Sequence, residues 1–334
     1  MLSNGWPETA TLKPDVEKGS PPLTLATANG VSYLYVANGG YPGDQGDYQG
    51  HITTINLATG TQRVFNTMCS DQTVHFNYSS PDCPDKQSAI WARAAVVYLS
   101  DTNKIYMATG NGNFAPASHD WGDTVFSLNP DGTGASSNPL DSYTPVNYQQ
   151  LQDSDQDIGS TNLAILPTAI TSTVTHLGVQ GGKDATLRLL DLDQMNGPGG
   201  PGLTGGEVFS MPVPQGSEIL TAIAVWVDPV DNSTWAFVAN GNGISGLQVT
   251  YTSSHVPQLT TRWQKSSGGT SPVVVNGVLF YAGSNDIHAR DPRTGTELWH
   301  DTTYIGGIHW ESPIVVNGVV YITDENAHLT AYAR

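Results

Sequence analysis

Short apolar runs separated by turn residues set the pattern of this chain. Val273-Val274-Val275, then Asn276-Gly277, then Val278-Leu279-Phe280-Tyr281 reads as a strand, a two-residue turn and a second strand. Asn-Gly between apolar runs is the strongest short-range hairpin signal, because both residues accept positive φ. The segment Ser271-Pro272-Val273-Val274-Val275-Asn276-Gly277-Val278 returns 41 residues later as Ser312-Pro313-Ile314-Val315-Val316-Asn317-Gly318-Val319. A repeat of that period made of strands and turns marks a propeller or a solenoid, and a helical repeat would not tolerate these turns. Within the first copy the pattern predicts strands at 272–275, 278–283 and 286–290 and a fourth ending at Trp299, which is one propeller blade. Weaker copies fall at 21–66, 88–145, 159–211 and 219–266; with 268–302 and 308–334 they make six recognisable blades. The expectation is an all-β propeller of four-stranded blades, one domain over residues 1–334. The last unit stops at Leu329-Thr330-Ala331-Tyr332 without a fourth strand, and an open apolar edge is an aggregation hazard. Two readings of that edge stand side by side. Asn4-Gly5-Trp6-Pro7 resembles the missing strand and closes it, or the chain is part of a seven- or eight-bladed ring.

Composition supports the strand reading. Only 13% of residues are charged, while 36 Gly and 21 Pro supply turn formers for many short strands. The 13 Lys and Arg against 30 Asp and Glu give a formal net charge of −17, which repels phosphate backbones and anionic membranes, so nucleic acid is excluded as an expected partner. No apolar run approaches the roughly 20 residues that span a bilayer, and residues 1–20 lack the apolar core of a signal peptide. Low Lys with abundant Ser, Thr, Asn and Gly fits an exported protein, secreted or periplasmic. The two cysteines, Cys69 and Cys83, flank a polar stretch with Ser79, Ser80 and Pro81. A disulfide there would close a loop between the first two blades, contribute roughly 3 kcal/mol and persist in an oxidising compartment; two unpaired thiols is the alternative.

The unit running from Ser271 to Trp299 resembles the repeat of the quinoprotein superfamily, which includes pyrroloquinoline quinone (PQQ) dehydrogenases and BamB-like propellers: the small-Pro start, the Asn-Gly turn, the Thr294-Gly295 turn and the terminal Trp occur in order. In that family the terminal tryptophan docks between blades, which the resemblance implies for Trp263 and Trp299. Residues 88–191 go further, following the order of PQQ alcohol dehydrogenases through Trp91, Thr109-Gly110-Asn111-Gly112, Asp157 and Gly182-Lys183-Asp184. The resemblance implies that Trp91 is the ring on which the quinone stacks, Asn111 an amide ligand of calcium, Asp157 the catalytic carboxylate and a further calcium ligand, and Lys183 a cation on the quinone oxygens. The chemistry needs these types: a rigid aromatic floor, hard oxygen ligands, a positioned base and a cation facing developing negative charge. Each also has a plain structural reading, as core aromatic, hairpin turn, strand cap and solvated turn residue.

Two departures from the family weigh against a complete site. The adjacent cysteine pair that lies over the quinone has no counterpart. Where the family places a Glu calcium ligand before Arg-Gly, this chain reads Gly43-Asp44-Gln45-Gly46-Asp47, leaving Asp44 or Asp47 as the only substitutes. Asp153, Asp155 and Asp157 alternate as in a calcium loop, yet position twelve is Ala164 where a bidentate Glu belongs, so a surface acidic turn is the simpler reading. No serine-hydrolase, zincin or phosphate-loop motif is present. Two functions follow: a binding or scaffolding propeller with a degenerate quinone site, holding a protein, small molecule or carbohydrate in its central channel and no cofactor, or a PQQ- and calcium-dependent dehydrogenase of an alcohol or sugar. A lactonase-like or lyase-like propeller is a third.

Overall fold

The Asn-Gly pairs do what the pattern requires. Asn276 and Gly277 take φ of 51° and 72°, and Asn317 and Gly318 take 50° and 79°, so each pair reverses the chain in two residues, with Val275 opposite Val278 and Val316 opposite Val319. The computed structural model describes residues 6–78, 83–93, 96–197 and 199–333. Among them, six antiparallel sheets of three or more strands follow one another in chain order.

The first sheet holds Glu17–Lys18, Thr24–Ala28, Val31–Gly40, His51–Asn56 and Gln62–Asn66; the second holds Val97–Leu99, Lys104–Ala108, Val125–Leu128 and Asp141–Tyr143. The third is Ala164–Leu166, Leu177–Gln180, Thr186–Asp191 and Phe209–Pro212, and the fourth Ala224–Val227, Thr234–Asn240, Gly243–Tyr251 and Pro257–Lys265. Val273–Val275, Val278–Ala282, Ile287–Arg290 and Glu297–Asp301 form the fifth, and Ile314–Val316, Val319–Thr323 and Leu329–Tyr332 the sixth. These are the blades of a β-propeller, in the segments where the repeat places them. The fourth strand of blade five runs two residues past the expected end at Trp299, because the ladder to Ile287–Arg290 continues to Asp301.

The chain divides into two compact units. One comprises residues 1–163, 180–184 and 190–207; the other comprises 164–179, 185–189 and 208–334. In the first, Tyr35, Ile52 and Phe65 of blade one pack on Ile105, Phe126 and Leu128 of blade two. In the second, apolar faces meet in succession: Leu177 and Leu187 against Val238 and Leu247, Phe237 and Trp263 against Leu279 and Tyr281, and Ile287 against Val320 and Ile322. A strand with sheet neighbours on both sides and packed faces has no wet side. Thr234–Asn240 is accordingly buried throughout, whereas the outer strand Glu297–Asp301 is exposed along most of its length.

Trp263 docks as the repeat implies. A register shift at Gly246/Leu247 presents it to the next blade, where its indole N–H donates to the Pro292 carbonyl at 2.8 Å. A Cβ on Gly295 would lie 2.6 Å from the indole, so the Thr-Gly turn leaves the space the ring fills. Trp299 reaches the following blade edge-on to Tyr332, with centroids 5.0 Å apart, but stays 41% exposed. Blade six has three strands. The closing strand expected at Asn4–Pro7 is not formed by Trp6 or Pro7, which belong to no strand; Asn4 and Gly5 lie outside the described residues.

Three further elements decorate the first unit: a hairpin of Phe114–Ala115 with Asp120–Trp121, a short helix Tyr148–Asp153 and the Cys69–Cys83 disulfide, whose Cα atoms are 5.9 Å apart. The bridge closes a 14-residue separation between the last strand of blade one and the first of blade two. We expect its reduction to lower the free energy of urea unfolding by roughly 3 kcal/mol, and a Cys69→Ser/Cys83→Ser variant to reproduce that loss. Identical unfolding midpoints for oxidised and reduced protein would contradict this.

Candidate functional site

Four segments of the first unit are pressed together by backbone contacts. Gly110 N–H donates to the Ala89 carbonyl at 2.8 Å, tying the Thr109–Gly112 loop to the segment leading into Trp91. Lys183 N–H donates to the Asp157 carbonyl at 3.0 Å, tying the Gly181–Asp184 turn to the start of blade three. Glycine permits the closeness. A Cβ on Gly110 would stand 2.9 Å from both an Asp157 carboxylate oxygen and the Trp91 indole nitrogen, and one on Gly159 would stand 2.2 Å from the Gly110 nitrogen.

The side chains singled out in the sequence converge there. Trp91, Asn111, Asp157 and Lys183 line one cavity of about 310 Å³, together with Asp44 and Asp155. Trp91 Nε1 donates to Asp157 Oδ2 at 3.1 Å. Lys183 Nζ lies 2.7 Å from Asp157 Oδ1 and 2.5 Å from Asp155 Oδ1, and sits over the Trp91 ring 5.3 Å from its centroid. Asn111 Nδ2 donates to Asp155 Oδ1 at 2.8 Å and to Asp44 Oδ2 at 3.2 Å. Its Oδ1 is buried with no hydrogen-bond partner. Asp44 is held in turn by the Tyr48 hydroxyl, which donates to Oδ1 at 2.7 Å. Asp47 points elsewhere, 3.3 Å from Lys13 and 3.9 Å from Lys86, so of the two carboxylates in that segment Asp44 alone faces the cavity.

Electrostatics follow from burial. Asp157 is 1% exposed, and desolvation lifts its pKa to about 6 against the opposing Lys183 ammonium and Trp91 hydrogen bond. Burial alone would lower Lys183, yet the Asp157 and Asp155 carboxylates outweigh it and hold the ammonium above the ordinary lysine range. Burial, then the Asp44 carboxylate, pushes the Tyr48 phenol far up, so it remains a donor. Behind the cavity, Asp123 is 1% exposed and adopts a left-handed φ of 48°. Its N–H donates to the Gly110 carbonyl at 3.0 Å and its Oδ1 accepts from Ile158 N–H at 3.2 Å, while Oδ2 has no partner. Burial and then the Asp157 charge raise its pKa to about 8.

Sequence reading missed Asp123, Tyr48 and the inward role of Asp155. Asp155 lies on an exposed acidic turn, as the sequence suggests, and a left-handed φ of 53° there carries its carboxylate to Asn111 and Lys183. Nothing in the local pattern signals that conformation.

The arrangement fits a quinone and a divalent cation poorly. Asp157, the carboxylate that the resemblance assigns to the cation, is already compensated from within, since the Lys183 ammonium lies against it and against the neighbouring Asp155. It also covers a face of Trp91 on which a flat cofactor would stack. The buried Asn111 Oδ1 is left without a hydrogen-bond partner, and Asp157 Oδ1 has only the Lys183 ammonium at 2.7 Å. Among the described residues, the group bringing three ligand atoms of His, Cys, Asp or Glu within 4.8 Å is Cys69, Asp85 and Asp120, and that cysteine is consumed by the disulfide.

Successive antiparallel blade sheets define a β-propeller fold. The fold resembles a europium-containing methanol dehydrogenase, at 14% identity and TM-score 0.57 over 92% of this chain and 65% of that one. It also resembles the quinohemoprotein alcohol dehydrogenase ADHIIG from Pseudomonas putida HK5, at 11% identity and TM-score 0.51 over 89% of this chain and 54% of that one. This chain thus spans between half and two thirds of those enzymes' length. A chain of the mitotic checkpoint complex matches at 11% identity and TM-score 0.51, covering 98% of this chain and 82% of that one. The likeness is therefore one of fold and not of chemistry. No known family profile and no curated protein matches the sequence.

We expect Gly110→Ala to cost about 1–3 kcal/mol of stability, because the new methyl drives Asp157 from Trp91, and to perturb tryptophan fluorescence; unchanged stability and emission would contradict the packing. Asp123→Asn keeps the Ile158 hydrogen bond and removes the buried ionisable group. Because the folded-state pKa is raised from 3.8 to about 8, the wild type loses stability as pH rises between those values. The variant's Tm advantage should be absent at pH 4 and grow toward pH 8; a pH-independent difference would refute the assignment.

Proposed function

We propose that this chain is an extracytoplasmic, PQQ-like-repeat propeller, one continuous domain, that acts as a binding or scaffolding module and carries a degenerate quinone site. The observation that supports this best is the position of Lys183. With its ammonium 2.5 Å and 2.7 Å from Asp155 and Asp157, a divalent cation entering between those carboxylates would have to displace it against strong like-charge repulsion. The cavity also sets three carboxylates, Asp44, Asp155 and Asp157, against two lysines, Lys18 and Lys183, a poor balance for a cofactor that is itself polyanionic. The disulfide favours an oxidising compartment. Among the described residues no helix is long and apolar enough to cross a membrane.

The second reading, a PQQ- and calcium-dependent dehydrogenase of an alcohol or sugar, draws on one specific observation: the buried, unpartnered Asn111 Oδ1. In that reading Asp157 is the base, Trp91 the floor and Lys183 the cation on the quinone. Incubation with PQQ and calcium followed by desalting separates the two. The degenerate site leaves the protein without the cofactor's absorbance and without PQQ-dependent dye reduction. Retained absorbance, with dye reduction abolished by Asp157→Ala, would establish the dehydrogenase instead.

A further inference from the structure

A second cavity of about 490 Å³ opens beside the first, sharing only Asp44 with it, and has three separate walls. The helix Tyr148–Asp153 supplies one: Tyr148, Gln149, Gln152 and Asp153 line the cleft, while Leu151 is buried beneath. Positions i, i+1, i+4 and i+5 share one helix face, so a single orientation of six residues presents an aromatic ring, two amides and a carboxylate together. The Phe114–Ala115 hairpin supplies the second wall, with Phe114 edge-on to Tyr148 at 5.0 Å between centroids and at 66°. The third is Pro84–Gln87, which starts one residue after Cys83 and so is anchored by the disulfide. Backbone hydrogen bonds fix it at Gln87, whose N–H donates to the Tyr48 carbonyl and whose carbonyl accepts from Gly50, each at 2.9 Å. Gln152 braces two walls, accepting from the Gly112 N–H and donating to Gln87 Oε1 at 3.3 Å.

We propose that this cleft binds a neutral carbohydrate, a hexose or short oligosaccharide. The volume accommodates more than one pyranose ring. A sugar presents a C–H face and a rim of hydroxyls, each donor and acceptor at once. Tyr148 and Phe114 offer the apolar surface with a polar tip that such a face takes, and the amides of Asn113 and Gln149, each with a second N–H beyond its bond to Asp120 or Asp153, with the carboxylates of Asp85 and Asp153, offer donors and acceptors around it. Charge excludes anionic ligands, since Lys86 is the only cation on the wall against three carboxylates. The amides and aromatic rings distinguish the cleft from a plain cation trap, and the Gln152 bonds to Gly112 and Gln87 tie its walls together, which lowers the entropic cost of binding. The assignment stands apart from the quinone cavity and from what that cavity does.

Isothermal titration with cellobiose, maltose and lactose tests it, with spermidine as a cationic control. At least one disaccharide should bind in the millimolar range. Tyr148→Ala should weaken that binding tenfold or more and the exposed Gln149→Ala several-fold, while Tyr148→Phe, which keeps the ring, should stay within about threefold of wild type. Added PQQ and calcium should leave that binding unchanged, which keeps the result independent of the quinone site, and reduction of the disulfide should weaken binding by releasing the Pro84–Gln87 wall. No heat with any of the three sugars, equal binding by wild type and Tyr148→Ala, or binding of spermidine alone would overturn the proposal.

Discussion

A carboxylate as buried as Asp157 must be neutralised or hydrogen-bonded, and the whole candidate site is arranged around meeting that requirement. Lys183 meets it electrostatically and Trp91 meets it with an indole N–H. Both partners come from other segments, so the backbones that carry them must approach closely, and Gly110 and Gly159 are the residues without a Cβ that allow it. Asp155 and Asn111 then close a network on the far side of the ammonium. The result is internally compensated, an arrangement that specifies its own geometry without an external cation.

That compensation is what supports the proposed reading of a degenerate site. The quinoprotein resemblance assigns Asn111 and Asp157 to calcium and Lys183 to the quinone oxygens. Here the same residue types occupy the same segments, but the ammonium lies between the carboxylates and over the indole. The loss of the Glu in the Gly43–Asp47 segment fits the same picture. Asp44 does reach Asn111, yet it is engaged by Tyr48 and does not gather with Asp155 and Asp157 into a tight ligand set.

The blades were legible in the sequence because hairpin turns are local: Asn276-Gly277 and Asn317-Gly318 announce positive φ without reference to anything distant. The disulfide was legible for a similar reason, as only two cysteines exist and a polar loop separates them. Convergence of Trp91, Asn111, Asp157 and Lys183 was legible through their order along the chain. What the ammonium does there was not, since a left-handed backbone at Asp155 and contacts across more than twenty residues decide it. The cleft was hidden for a different reason. The helix Tyr148–Asp153 has one buried apolar residue, Leu151, so its six residues carry no amphipathic signal, and its ring and amides acquire meaning only beside Phe114 and Gln87.

Terbium, which takes calcium's hard oxygen ligands and luminesces when a nearby tryptophan is excited, tests the central claim most directly. If Lys183 occupies the cation's place, the wild type shows no saturable Trp-sensitised terbium emission at micromolar metal, and Lys183→Gln, which frees Asp155 and Asp157 beside Trp91, gains it. Saturable emission from the wild type, competed by calcium and abolished by Asn111→Ala, would contradict the account.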